Sequence, residues 1–303
     1  MKVFITGIRG FMGSHLSQHL RKAGHEVFGV DNMFHSCAND YGGLSFEIDI
    51  RNKAKLEKVI TFLKPDVIIH LAAQIHVDYS IKYPQTTLDI NVSGTLNVLE
   101  IARKLKTKKV IIASTSEAYG SSQEEFMNEE HPLDCQSPYG ASKVAADRLA
   151  KSYIDTYGMD IVVIRNFNAF GPFQNDGSYG SVIARFTKAA LQNETLFIYG
   201  TGEQERDYMY IDDIIQAYEF AIKLPAGVYN FGTGKCYTIK YIADKIIKLT
   251  RSQSKILHIE PRAGEVQRLC CDISKVQQFG FKPSTDFDRD LEKYVTWFKE
   301  QGE

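Results

Sequence analysis

The sequence predicts an α/β fold built on a parallel, doubly wound sheet. Three observations lead there. Residues 1–31 run strand, glycine turn, helix, strand, acid. Short apolar runs then alternate with helical stretches as far as Gly171-Pro172, which is the pattern of a parallel sheet with helices on both faces. Finally, Gly7, Asp31, Asp49, Ala72, Thr115 and Arg165 all fall at or just past the carboxyl ends of those runs, where such sheets bind ligands.

The first element is Lys2-Val3-Phe4-Ile5-Thr6, short and mostly apolar, as a strand buried on both faces should be. Gly7-Ile8-Arg9-Gly10-Phe11-Met12-Gly13 follows, then a helix from Ser14 to Ala23 with Leu16 and Leu20 one turn apart and Gly24 as its stop. Glu26 to Val30 is the second strand, ending on Asp31. This is the dinucleotide-binding order. Gly7, Gly10 and Gly13 let the backbone turn tightly and approach a pyrophosphate, and the helix start at Phe11 and Met12 offers unpaired N–H groups to it. Asp31 can accept both ribose hydroxyls and repels a 2′-phosphate, so the expected cofactor is NAD rather than NADP. Arg9 is the counter-signal, since a guanidinium there suits a phosphate.

Leu44 to Ile48 reads as a third strand, and Arg51 to Leu63 as a helix closed by Pro65. Asp66 to Leu71 is another buried strand, and the small Ala72-Ala73 after it lets a cofactor lie over its tip. Asn32, Asp49, Ile50, Leu71, Ala72 and Ala73 complete the expected cofactor contacts. Asn91 to Leu105 is amphipathic, with Val92, Leu96, Leu99 and Ala102 near helical spacing. Lys109 to Ala113 is the next strand, running into Ser114-Thr115-Ser116-Glu117. Ser137 caps a helix that opens on Pro138 and stops at Tyr157-Gly158, and Asp160 to Ile164 is a sixth strand. Beyond Gly171-Pro172 the alternation becomes irregular, with short strands at Leu196 to Tyr199, Tyr208 to Ile211 and Val228 to Phe231. The expected organisation is an NAD-binding domain over 1–170, to which a stretch near 206–224 returns, and a smaller, mainly substrate-binding α/β domain over 171–303.

A chain of 303 residues suits one large domain or two. With 44% hydrophobic and 24% charged residues it reads as globular, and a net charge of -1 gives no global attraction to nucleic acid or anionic membrane. No apolar run approaches a membrane span, and the chain opens directly on a strand, so no secretory leader is expected. Cys37, Cys135, Cys236, Cys270 and Cys271 form an odd, scattered set without a CxxC pair, which suggests reduced thiols in a cytoplasm. His76, His131 and His258 have no ligand spacing, so no metal is expected.

Tyr139 and Lys143 stand at i and i+4 and share one helical face. A free tyrosine has a pKa of about 10 and is a poor base at neutral pH. A nearby ammonium and a nicotinamide cation both favour its phenolate, which can then take a proton from a sugar hydroxyl while the carbon gives a hydride to NAD. Thr115 can hydrogen-bond the same oxygen.

Together these features resemble the extended short-chain dehydrogenase/reductase family. The resemblance rests on Thr6-Gly-x-x-Gly-x-x-Gly13, Thr115 and Tyr139-x-x-x-Lys143. It continues through Asn91-Val-Ser-Gly-Thr-Leu, Arg165-Asn-Phe-Asn-Ala-Phe-Gly-Pro172, Arg206-Asp-Tyr-Met-Tyr-Ile-Asp-Asp213 and Pro261-Arg-Ala-Gly-Glu265, nearly the whole chain. It implies a nucleotide-activated sugar as substrate and a cofactor that is recycled. It also implies that Asn168, Arg206 and Arg262 hold the diphosphate, which guanidinium forks suit, with Glu265 at the nucleoside. Arg206 lies between Glu205 and Asp207, and Arg262 has Glu265 nearby, so surface ion pairs stay open for both. A homodimer is implied, formed by the helix after Asn91 and the helix of Tyr139, with Val144, Leu149, Tyr153 and Ile154 as apolar surface.

Thr115, Tyr139 and Lys143 serve every reaction of the family, so Glu117 carries the choice. Once C4 is a ketone, a carboxylate two residues beyond the threonine can remove the C5 proton and let water leave from C6. Thr115-Ser116-Glu117 is similar to the Thr-Ser-Glu of GDP-mannose 4,6-dehydratases, and Ala72 to Ser80, including the candidate substrate contacts Gln74 and His76, also resembles dehydratases. Many dTDP-glucose 4,6-dehydratases have Asp where Ser116 stands, so here Ser116 would relay the proton of the leaving hydroxyl through water or substrate. The leading expectation is 4,6-dehydration, and the alternative is a 4-epimerase, in which Glu117 is a polar wall. A decarboxylase ranks lower, because the insertion usual before its Tyr motif is missing. A non-catalytic nucleotide-sugar or NAD sensor ranks lower too, because the Thr, Tyr and Lys set is intact.

Overall fold

A computed structural model describes residues 1–34, 44–177, 180–262 and 264–301. Cys37, counted above among the thiols, and Ala263 of the Pro261–Glu265 stretch lie outside them. The chain divides into two compact units, the first comprising Met1–Ala118, Ser137–Asn166 and Ile214–Tyr229, the second Tyr119–Gln136, Phe167–Asp213 and Asn230–Glu303.

The predicted doubly wound sheet is the frame of the first unit. Its strands β1 (Lys2–Thr6), β2 (Glu26–Asp31), β3 (Leu44–Glu47), β4 (Val67–His70), β5 (Lys109–Thr115) and β6 (Ile161–Asn166) pair in parallel. The order across the sheet is Gly227–Phe231, β6, β5, β4, β1, β2, β3. The chain therefore moves outward from β1 to β3, then restarts at β4 on the other side of β1. A sheet of this class opens its crevice at that reversal, beyond the carboxyl ends of β1 and β4.

The helices are α1 (Phe11–Lys22), α2 (Lys53–Leu63), α3 (Val77–Lys82), α4 (Pro84–Leu88), α5 (Gly94–Leu105) and α6 (Pro138–Tyr157), with a π-helical turn, Asp89–Ser93, joining α4 to α5. Local chemistry sets the ends. Asn52 accepts from the Lys55 N–H at 3.1 Å and Ser137 from the Gly140 N–H at 3.0 Å, caps worth about 1 kcal/mol each. Gly158 ends α6 in the left-handed region at φ 63. Phe4, Leu56, Ile60, Ile68, Val98, Leu99, Ile112 and Val163 fill one buried cluster, each side chain contributing roughly 1.5–3 kcal/mol. Residues 77–88 form two short helices that the sequence pattern does not announce, because Ile81, Tyr83 and Leu88 stay exposed and leave no apolar stripe.

In the second unit the strand Glu205–Tyr210 is central, antiparallel to Cys236–Thr238 and parallel to Arg268–Leu269 and Asn168–Phe170. Leu196–Tyr199 pairs in parallel with Ile256–Ile259. Asp213 pegs this unit, accepting from the backbone N–H groups of Ser284 and Thr285 at 2.7 and 2.6 Å and from both hydroxyls. The expectation of separate thiols is corrected here, because Cys236 and Cys270 are disulfide-bonded across a Cα separation of 5.8 Å. They lie 34 residues apart in sequence, and the flanks of the Glu205–Tyr210 strand bring them together, with Cys236 opposite Asp207 and Leu269 opposite Arg206. Cys135 and Cys271 are free. Among the described residues no helix is long and apolar enough to cross a membrane.

Candidate active site

The glycine turn closes on itself. Gly7 takes φ +72 and donates to the Val30 carbonyl at 2.8 Å, while the Gly10 N–H donates back to the Gly7 carbonyl at 3.1 Å. A Cβ on Gly13 would sit 2.0 Å from the Gly7 oxygen, and one on Gly7 would sit 2.9 Å from the Ala72 nitrogen. Helix α1 thus starts directly on the turn, with Gly10 as a cap that offers no side chain. The N–H groups of its first turn, at Phe11 and Met12, are left for an anion, which fits a pyrophosphate.

Asp31 ends β2, 8% exposed, with its carboxylate held by the backbone N–H groups of Arg9 at 2.9 Å and Met33 at 2.8 Å. The Arg9 guanidinium instead donates to the Ser45 hydroxyl at 2.8 Å. Asp49 is gripped by Arg51, which holds its carboxyl well below the usual range, at about 2, and the Asn32 amide donates to it at 3.3 Å. Ile50 is buried against Gly94, the first residue of α5. Leu71 and Ala72 follow β4, their N–H groups donating to the carbonyl and hydroxyl of Thr6 at 3.1 and 3.2 Å, and Ala73 continues the chain beyond them.

A buried polar chain ties this turn to α6, the helix that carries Tyr139. Thr95 donates its single hydroxyl proton to the Asn91 carbonyl at 2.6 Å, so it accepts from His70 Nε2 at 3.0 Å. His70 Nδ1 is then an acceptor, and the Thr6 hydroxyl donates to it at 2.7 Å. Burial first, and the Lys143 charge second, push the imidazole down to about 3, so it is neutral in this tautomer. Asn91 clasps Gln74, accepting from its N–H and donating to its carbonyl, both at 2.8 Å, and also donates to the Ser142 hydroxyl at 2.9 Å. Ser142 donates to the Tyr139 carbonyl at 2.7 Å, and the Tyr139 N–H donates to Ser80 at 3.0 Å. The backbone of Tyr139 is pinned on both sides. The Gln74 side chain bonds the backbone of His76 at 2.6 and 2.9 Å, so it shapes the loop after β4.

Thr115 is the last residue of β5, and Ser116–Ala118 is a single 3₁₀ turn that carries Glu117. The Glu117 N–H donates to the Thr115 hydroxyl at 3.2 Å, and Ser116 is buried. Tyr139 and Lys143 are both buried on α6, facing β5. Burial raises the Tyr139 phenol, a hydrogen bond from Thr115 opposes this, and the Glu117 charge adds to it. The Lys143 ammonium donates to the Ala113 carbonyl at 2.6 Å, and burial lowers it to about 8 against the pull of Asp147. One turn further along α6, Asp147 accepts from Arg165 at 2.9 and 3.1 Å and from Ser114 at 3.1 Å. Arg165 therefore turns inward to Asp147, and both are at least 99% buried. The i, i+4 spacing that reveals Tyr139 and Lys143 extends to Asp147, and one more step along it would have found this residue.

The expected diphosphate residues lie in the second unit. The Arg206 guanidinium donates to the carbonyls of Glu205, Val266 and Gln267 at 2.9, 2.6 and 3.4 Å, while Glu205 pairs with Arg268 at 3.1 Å. Arg262 stacks on the Tyr199 ring at 4.0 Å, and the Asn168 amide donates to the Asp207 carbonyl at 3.3 Å. One carboxylate oxygen of Glu265 is buried with no hydrogen-bond partner among the described residues. Among those residues no cluster of His, Cys, Asp and Glu can hold a metal ion.

The chain matches the family model described as GDP-mannose 4,6 dehydratase over residues 4–294. It is 34% identical over 300 residues to a protein of Methanocaldococcus jannaschii named putative UDP-glucose 4-epimerase, with 98% of each chain covered. Among solved structures it resembles the UDP-glucose 4-epimerase of Thermotoga maritima with UDP-glucose, at a TM-score of 0.97 and 30% identity with 100% of both chains covered. It also resembles the UDP-glucose 4-epimerase of Thermus thermophilus in complex with NAD, at a TM-score of 0.94 and 30% identity with 99% of both covered.

Proposed function

Because this chain belongs to the GDP-mannose 4,6-dehydratase family of nucleotide-sugar epimerases and dehydratases, we propose that it is an NAD-dependent nucleotide-sugar 4,6-dehydratase. Held by the Gly7–Gly13 turn and Asp31, NAD would supply the redox chemistry, as acceptor of a hydride from C4 of the sugar and its donor to C6. Tyr139 removes the proton of the C4 hydroxyl while Thr115 holds the same oxygen, and Lys143, one turn further along α6, supplies the ammonium. The new ketone acidifies the C5 proton, Glu117 takes it, and the C6–O bond breaks. The proton removed by Tyr139 balances the departing hydroxide, relayed at Ser116, so one water leaves. Glu117 then returns its proton to C5, and the product is a 4-keto-6-deoxy sugar.

The observation that carries this reading is the place of Glu117, in the 3₁₀ turn directly after Thr115 with its N–H on the Thr115 hydroxyl at 3.2 Å. NAD rather than NADP is supported by Asp31 and by the Arg9 guanidinium being turned to Ser45. Asn168, Arg206 and Arg262 are assigned to the diphosphate, and the buried, unpartnered oxygen of Glu265 supports a nucleoside hydroxyl as its donor. The test is Glu117→Gln with Tyr139 intact, incubated with a panel of nucleotide sugars and read by mass. Loss of water should slow by on the order of 10²-fold or more, and an undiminished rate removes the elimination role. A second reading, 4-epimerisation, is favoured by the 0.97 TM-score against an epimerase. It requires product that keeps its C6 oxygen.

A further inference from the structure

Asn166 is the last residue of β6, in register with Thr115 on β5 and 9% exposed. Its amide nitrogen donates to the Tyr218 hydroxyl at 2.7 Å and faces the Ser114 carbonyl at 3.5 Å. A carbonyl can only accept, so this neighbour fixes the amide with its nitrogen inward. The amide oxygen is left buried with no hydrogen-bond partner among the described residues. Burying an unpaired acceptor is costly, and such an atom in a binding site marks a missing donor. Thr115, the register partner of Asn166, hydrogen-bonds the Tyr139 side chain, which places Asn166 one strand over from the reacting phenol.

We propose that the Asn166 side-chain oxygen accepts from the carboxamide N–H₂ of the nicotinamide ring and sets which face of the ring meets the sugar. The inference rests on the NAD reading above. A dinucleotide anchored by its ribose at Asp31 and its pyrophosphate at Gly7 must cross β1 toward β4, β5 and β6 to bring its ring to Tyr139. The strand-end group on β6 is Asn166. In the proposed reaction the sugar oxygen is held by Thr115 and Tyr139, whose side chains hydrogen-bond each other. The carboxamide is the polar group of the ring and brings two donors, matching the unpaired acceptor.

The test compares equilibrium binding of NAD and of 3-acetylpyridine adenine dinucleotide, which has a methyl group in place of the amide NH₂, by calorimetry without sugar. Wild type should bind NAD about 5- to 10-fold more tightly than the analogue. Asn166→Leu should bind NAD more weakly by a similar factor and bind the two equally. Asn166→Asp, which keeps an acceptor, should retain the preference. Equal binding of both nucleotides by wild type overturns the proposal, as does an unchanged preference in Asn166→Leu. Should wild type bind neither nucleotide, the NAD reading itself fails, and the two failures are thereby told apart.

Discussion

Tyr139 is not a ready-made base. Burial holds its proton on, and the Lys143 ammonium points at the Ala113 carbonyl. In the proposed reaction the phenol would give way when positive charge arrives beside it, which ties proton removal to the presence of the oxidised ring. Lys143 is itself near its own limit, lowered to about 8 by burial and kept from falling further by Asp147. Below that pH it is an ammonium and favours the phenolate; above it the proton is lost and the help disappears. The rate of sugar conversion should therefore decline as pH rises through about 8, and a profile still level well above that value would contradict the role given to Lys143. Asp147 and Arg165 are a buried pair, so deleting one partner strands the other at a cost of about 3–5 kcal/mol. Of these side chains the pair Tyr139 and Lys143 was legible from spacing alone. Asn166 and His70 were not, because their meaning lies in which neighbours they fail or manage to find across strands.

The element proposed to hold the cofactor is the turn between β1 and α1. With a Cβ on Gly13 only 2.0 Å from the Gly7 oxygen, Gly13→Ala must push α1 away from the strand. NAD affinity should fall by on the order of 10-fold or more in calorimetry, whereas unchanged affinity would mean the pyrophosphate sits elsewhere. This element could be read directly, because glycine spacing, helix caps and a terminal acid are local signals. Ser137 with Pro138, and Gly158, marked α6 for the same reason. The π-helical turn at Asp89–Ser93 could not be read, since one extra residue in a helix leaves the apolar period nearly intact while turning Asn91 inward. Nor could α3 and α4, whose apolar side chains remain exposed.

At the scale of the molecule, alternation of strand and helix predicted the sheet of the first unit, and it faded where the second unit's short strands return from distant parts of the chain. The Cys236–Cys270 bond belongs to that non-local class. A homodimer through α5 and α6 remains our proposal on a revised surface. Of the expected surface, Tyr153 is buried, Leu149 and Ile154 pack partly on the core and Val144 is half-buried, while Leu96 and Tyr157 are exposed apolar groups on the same helices. Light scattering should give twice the monomer mass, and a monomer at micromolar concentration would refute it. The proposed reaction is transient oxidation at C4 followed by elimination. Its most direct test is a hexose nucleotide carrying deuterium at C4, with the product analysed by mass and NMR. A 4,6-dehydratase releases one water and moves the deuterium to C6; product that keeps its C6 oxygen and carries the deuterium still on C4 would rule this reaction out.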